Sequence, residues 1–205
     1  MNCEVHELPV LPVENYQIRE VLRCLLHTIM FNRALGPVRP REVDSELFDL
    51  AYVQCGDANV DRKIEEKIDS LCAWVEKHPG KRATVLLSFY EKRYKQALWF
   101  SKQEERLYWE QWRMHFDVIQ PSALDRHSES TRVQRHAALE EALQGALLNV
   151  LRLVNEKKDH IPPVVSSDVV CFPYEITGSS DNDSHFGLDM FKRVMMHTSP
   201  PTMLN

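Results

Sequence analysis

Two strand-like apolar runs, Thr84 to Tyr90 and Leu107 to Val118, stand on either side of a stretch dominated by charge, Glu91 to Arg106. The first run is nearly continuous in apolar and β-forming residues, the pattern of a buried strand. The second alternates, placing Trp112, Met114, Phe116 and Val118 on one face. The two runs pair as a long hairpin with the charged segment as its loop, and Pro121 closes it. A hairpin of this kind commits the chain to a sheet whose apolar face other elements must cover.

Three helices supply that cover. Ile18, Val21, Leu22, Leu25, Leu26 and Ile29 recur at spacings of three and four, and Gly36-Pro37 and Pro40 end that neighbourhood. A second stripe is Val60, Ile64, Ile68, Leu71, Cys72 and Val75, ending near His78-Pro79-Gly80, with Lys63, Glu65, Glu66 and Lys67 solvating its other face. The third is the longest: Leu139, Ala142, Leu143, Ala146, Leu147, Val150, Leu151 and Val154. That stripe spans about half the helix circumference, which predicts cover on two sides. Leu148 projects away from it, among Glu141 and Arg152, and its cover is another protein or nothing. Leu148 and Arg152 are therefore the candidate partner contacts.

Between the first two helices, Leu47 to Cys55 reads as a strand closed by Gly56-Asp57. After Ile161-Pro162-Pro163, a last strand is expected over Val169 to Ile176, where Pro173 favours a sheet edge. The order predicts an α+β fold, an antiparallel sheet backed by three helices, over residues 1–177. Residues 178–205 turn polar and end in Thr198-Ser-Pro-Pro-Thr202, which reads as a mobile C-terminal segment.

Composition excludes several functions. With 205 residues and 43% hydrophobic content there is material for one well-filled core, or one domain and a tail. A formal charge of −5 argues against a phosphate-backbone binder, so no nucleic acid partner is expected. The N-terminus carries acids and no long apolar run, Asn2 excludes myristoylation, and Leu22 to Phe31 is too short to span a bilayer. The chain reads as soluble, with no membrane span. Cys3, Cys24, Cys55, Cys72 and Cys171 form an odd set without C-x-x-C spacing, consistent with reduced thiols and a cytosolic setting.

No phosphate-cradling, nucleophile-elbow or H-E-x-x-H motif occurs, and no cofactor is expected. His27 sits beside the apolar face of the first helix, where a structural histidine is the favoured reading. Cys24 lies three residues before it, a weak suggestion of a thiolate pair. His115 and Asp117 share a strand face at i, i+2, a pair that lacks a third metal ligand. The aromatic pair Trp99 and Phe100 stands out more, placed inside the charged segment at the hairpin tip. Leaving a large ring in water rather than covering it forgoes roughly 2–3 kcal/mol, so exposed rings point to a partner.

Met1-Asn2-Cys3, Leu26-His27-Thr28, Phe48-Asp49 with Tyr52-Val53, Ser88-Phe89-Tyr90, the aromatic pair, and Trp109-Glu110-x-Trp112 together resemble the autophagy-related protein 101 family. The long third helix and Pro173-Tyr174 extend the likeness over most of the chain. The resemblance implies a HORMA domain, a non-enzymatic subunit of the autophagy-initiation kinase complex whose C-terminal segment can act as a mobile belt. It implies pairing with the HORMA domain of autophagy-related protein 13. It further implies recruitment of downstream autophagy factors through a Trp-Phe finger, matched by Trp99 and Phe100, at the phagophore assembly site in the cytoplasm. Some family members place a proline between the two aromatics; here they are adjacent. Two other readings stand beside it: a peptide-trapping HORMA adaptor of another pathway, and a small enzyme built around Cys24, His27 or the His115 face.

Overall fold

In the computed structural model the chain runs β1 (Glu4–Glu7), β2 (Leu11–Glu14), α1 (Ile18–Asn32), β3 (Arg41–Asp44), β4 (Ala51–Gln54), α2 (Ala58–Lys77), β5 (Arg82–Ala97), β6 (Ser101–Ile119), α3 (Glu129–Glu156) and β7 (Tyr174–Gly178), followed by a 3-10 turn at Ser179–Asp181. The structure describes residues 3–36, 38–97, 101–120, 129–164 and 170–181, with backbone alone for 94–97 and 101–103. The expected C-terminal segment therefore lies outside the described residues beyond Asp181.

The hairpin forms, and it is longer than the apolar runs alone suggest. β5 and β6 pair antiparallel from Arg82↔Asp117 to Ala97↔Ser101, so most of the charged stretch expected as loop is paired strand. Backbone hydrogen bonds need no apolar side chains, and opposite charges across the ladder favour the pairing. Arg93 faces Glu105, and Lys92 Nζ reaches Glu104 at 3.5 Å. One irregularity breaks the register, between Phe89 and Tyr90, where Trp109 becomes an extra residue on β6. Such a bulge bends the strand and re-aims a side chain. Trp109 is buried against Phe89, their ring centroids 5.5 Å apart.

The sheet order is β1–β6–β5–β7, with β2 also on β6. It is mixed, not wholly antiparallel: β1 and β2 both run parallel to β6. Strands of four residues with acidic ends carry no readable period, and their direction is decided by a pairing more than ninety residues away in the sequence, Glu4↔Glu110. Among the described strands β7 lies at the edge against β5 alone, as Pro173 led us to expect, but it begins at Tyr174, after the proline. The run from Leu47 contributes a strand only at Ala51–Gln54, and this pairs with β3 in a separate two-stranded sheet. Before it the backbone bends: the Leu47 and Phe48 N–H groups donate to Ser45 Oγ, and Phe48 stacks on His136.

Ala83, Val85, Leu87 and Phe89 of β5 share a buried face with Trp112, Met114, Phe116 and Val118 of β6, and the three helices join the same core. α1 is central, ten of its fifteen residues buried, in contact with α2, α3 and β4. α2 buries Val60, Ile64, Ile68, Leu71 and Val75, and its first turn is capped by Asp57, whose carboxylate accepts from the Asn59 and Val60 N–H groups. α3 is covered on a narrower face than its composition suggests. Leu139, Leu143, Ala146, Val150 and Val154 are buried, whereas Ala142 and Leu147 are half-buried and Leu151 is exposed. A helical wheel counts apolar residues; whether two neighbours exist to cover them is settled by packing.

Gly56 joins β4 to α2 with φ +68°, and a Cβ there would lie 2.3 Å from the Arg39 carbonyl oxygen. Gly80 has φ +74° with open space around it. The left-handed conformation alone costs a non-glycine residue about 1–2 kcal/mol. Gly80→Ala is therefore expected to lose about that much in urea denaturation. Gly56→Ala should lose clearly more, because backbone must also shift; equal losses would mean that the close approach to Arg39 is relaxed at no cost.

Candidate functional site

Beyond the flanking strands the hairpin becomes a two-stranded arm. β7 accompanies β5 only from Val85 to Phe89, and β1 accompanies β6 only from Glu110 to Arg113. From Glu91 to Ala97 the ladder consists of β5 and β6 alone among the described strands. Seven or eight extended residues reach roughly 20 Å. The base of the arm is braced by side chains: Tyr108 Oη donates to Glu175 at 2.6 Å, Arg106 pairs with the same carboxylate at 2.7 Å, and the Arg106 guanidinium lies over the Tyr90 ring. Trp99 and Phe100, proposed from the sequence as a recruitment pair, lie outside the described residues. The last described pair before them is Ala97↔Ser101.

On the outward side of α3, Leu148 is 67% exposed, and Val133 and Leu151 are exposed with it. Leu148 and Leu151 are neighbours at i, i+3 on one face. Arg152 beside them is exposed and holds Asn149 at 2.8 Å and Glu156 at 3.4 Å. Exposed pairs of this kind are worth little to stability, so the guanidinium is free to exchange partners.

The titratable candidates read from the sequence are each accounted for structurally. His27 is buried, stacks on Tyr52, and its Nε2 accepts from Gln54 Nε2 at 3.4 Å. Burial lowers its pKa to about 4, so the ring is neutral near pH 7. Burial likewise pushes the Cys24 thiol up to about 12, the opposite of an activated thiolate. His115 and Asp117 are not a ligand pair. His115 Nδ1 meets the Thr84 hydroxyl at 3.1 Å and its Nε2 faces Glu7 at 3.4 Å, while Asp117 is forked by Arg82 at 2.7 and 3.2 Å.

The strongest electrostatic feature was not singled out from the sequence. Glu110, fully buried, receives Arg33 Nε on both oxygens at 3.0 Å and Arg33 Nη2 on Oε2 at 2.8 Å. His160 Nε2 donates to Oε2 at 2.6 Å, Trp112 Nε1 donates to Oε1, and His6 Nε2 stands 3.8 Å away. Burial by itself raises the Glu110 pKa, but the contacts with His6, Arg33 and His160 outweigh it and hold the carboxyl at about 2. The signal was in the alternation: Glu110 has the same parity as Trp112, Met114 and Phe116, so it had to fall on the buried face.

His6, Glu110 and His160 bring ligand atoms within 4.8 Å of one another, the spacing of a metal site among the described residues. The donor set does not fit one. Arg33 already neutralises the carboxylate from both oxygens, and a divalent ion would add two uncompensated charges to a buried, neutral pair. The arrangement is a charge-balanced structural cluster.

A family model described as "Autophagy-related protein 101" matches residues 10–168. A protein of that name from Arabidopsis thaliana is 49% identical, with all of both chains covered. The Homo sapiens protein of the same name is 24% identical over 83% of this chain and 80% of its own, and the Rattus norvegicus protein 27% identical over 58% and 59%. No described helix is long and apolar enough to cross a membrane.

The shifted groups define an acid response. A group whose folded pKa is depressed stabilises fully above its unfolded pKa, and that contribution is lost as pH falls to the folded value. For His27 the window runs from 6.5 down to about 4, and for Glu110 from 4.5 down to about 2. Each is worth on the order of 3 kcal/mol. Unfolding free energy measured from pH 7 to 2 should fall in two overlapping stages, and His27→Gln should flatten the upper one. An unchanged slope between pH 6.5 and 4 in that variant would remove His27 from the account.

Proposed function

The chain belongs to the autophagy-related protein 101 family, so its function is autophagy-related, and from that premise we propose that it is a non-enzymatic adaptor of autophagy initiation. In this reading it is a HORMA domain that pairs with and stabilises the HORMA domain of autophagy-related protein 13. It recruits downstream factors at the phagophore assembly site, in the cytoplasm, through Trp99 and Phe100. The observation that carries the reading is the hairpin arm. It extends past both neighbouring strands, every cross-strand pair from Glu91↔Leu107 to Gln96↔Lys102 includes a charged residue, and it ends at a pair flanking the only three residues between its strands, which include both aromatics. An arm that reaches so far from the core serves to present what it carries, and large aromatic side chains are the residue type that dominates interface energetics.

The surroundings of the candidate catalytic groups support the same view. Each candidate nucleophile or base has a structural explanation: Cys24 is buried with its pKa raised, His27 is neutral inside the core, and His115 is bonded to Thr84 and Glu7. For the partner contact, the outward face of α3 offers Leu148 with Arg152 beside it, an apolar anchor next to an exchangeable charge. Co-purification with and without the partner HORMA domain tests the class of function directly, and a stable pair is expected.

Replacing Trp99 and Phe100 together by Ala should leave unfolding free energy within about 0.5 kcal/mol and partner HORMA binding unchanged, while capture of downstream factors is lost. A loss of several kcal/mol would instead place the rings in the core. Leu148→Asp should weaken partner affinity at least about tenfold in titration calorimetry; full affinity would exclude this face from the contact.

A further inference from the structure

The Glu110 cluster lies beneath the stretch of chain that leads into the edge strand β7. Arg33 caps α1, and directly after it Ala34 bridges Cys171 while the Leu35 N–H donates to the Val170 carbonyl at 2.8 Å. Phe172 then sets its ring edge-on to Trp109 at 4.8 Å, and the Pro173 carbonyl accepts from the Tyr90 N–H at 2.9 Å, at the bulge. Trp109 precedes Glu110 and also packs on His160, which itself bonds Glu110. The Arg33 guanidinium meanwhile reaches the Val154 and Lys157 carbonyls at 3.4 and 3.5 Å, tying down the end of α3. The residues that seat 170–173 thus adjoin, or pack on, residues bonded to Glu110: Ala34 and Leu35 follow Arg33, and Trp109 lies against His160.

We infer that the Glu110–Arg33–His160 cluster is a latch for residues 170–178, keeping this segment on the sheet edge as long as the buried charges remain matched. Removing one charge leaves the other buried without compensation, a costly state that is relieved by admitting water. The elements around the cluster differ in how easily they give way. β6 is paired on both sides, α1 is central to the core, and β1 is laddered to β6. The 170–173 stretch packs Phe172, Val170 and Cys171 on the core, but its backbone is held only by a single bridge and two hydrogen bonds among the interactions described above. The five residues of β7 beyond it have one neighbour among the described strands, and segments with few protected backbone bonds open first. A separate clamp grips the far end. Lys67 pairs with Asp181 at 2.7 Å and Ser179 Oγ accepts from the Thr84 N–H, both beyond Gly178, while Lys63 lies over the Tyr174 ring at the start of β7. The latch therefore frees the segment from its upstream side.

The test is amide hydrogen exchange, read by mass spectrometry on the full chain without a partner, so it does not depend on the adaptor reading. In Glu110→Gln, peptides covering 170–178 should exchange at least about tenfold faster while α2 and the β3–β4 pair keep their protection. His160→Asn, which spares the Arg33–Glu110 pair and provides the test if the first variant does not fold, should give the same regional pattern at smaller amplitude. Arg33→Met combined with Glu110→Gln, which removes both charges, should return protection toward that of the parent chain. Unchanged exchange at 170–178, or acceleration spread evenly over every element, would overturn the latch.

Discussion

The pairing of β6 with β5 is the interaction on which the rest of this molecule depends. Among the described strands β6 is the one that contacts the N-terminal strands and β5 together, and β5 in turn carries β7. A chain whose first strands, central hairpin and last strand are so far apart in sequence needs such an organising ladder, because each non-local pairing must repay the entropy of closing a long loop. Once the ladder exists, the alternation along β6 puts Trp112, Met114 and Phe116 on one side, and α1 can close the core over them.

At the bulge the same strand takes on a second role. By adding Trp109 to the buried face, the irregularity places an aromatic ring beside Glu110, and the two residues meet different needs. Trp109 supplies apolar area; Glu110 gathers Arg33 from α1, His160 from beyond α3, and His6 from β1. A buried ion pair of this kind is weak as a source of net stability but strict about geometry, since each partner tolerates burial only while the other is present. It ties the end of α1 to the end of α3 and to the first strand through Arg33 and Glu110.

The features proposed to act outwardly lie away from that centre. The arm and the outer face of α3 make few demands on the core, so substitutions there can be tuned to partners without unfolding the domain. The division suits the adaptor role proposed: the interior is committed to a single arrangement, and the surfaces proposed to meet partners lie beyond the paired strands of the arm and on the outer face of α3.

The helices and the central hairpin were legible because their periods are long and regular; Ile18 to Ile29 and Trp112 to Val118 announce which faces are buried. Leu148 was legible too, as the apolar residue opposite the α3 stripe. What the sequence alone did not disclose has common physical causes. β1, β2 and β3 are too short to show a period, and the parallel direction of the first two is set by a distant partner. The charged arm looked like loop because backbone pairing leaves no mark in side-chain polarity. Likewise Glu110 was visible as a letter between two tryptophans, but its meaning came from Arg33 and His160, which the chain brings to it from 77 and 50 residues away. Local pattern determines which surfaces seek burial; only the tertiary structure decides which charges are carried inside with them, because a buried charge is tolerable solely where a partner from elsewhere in the fold arrives to meet it.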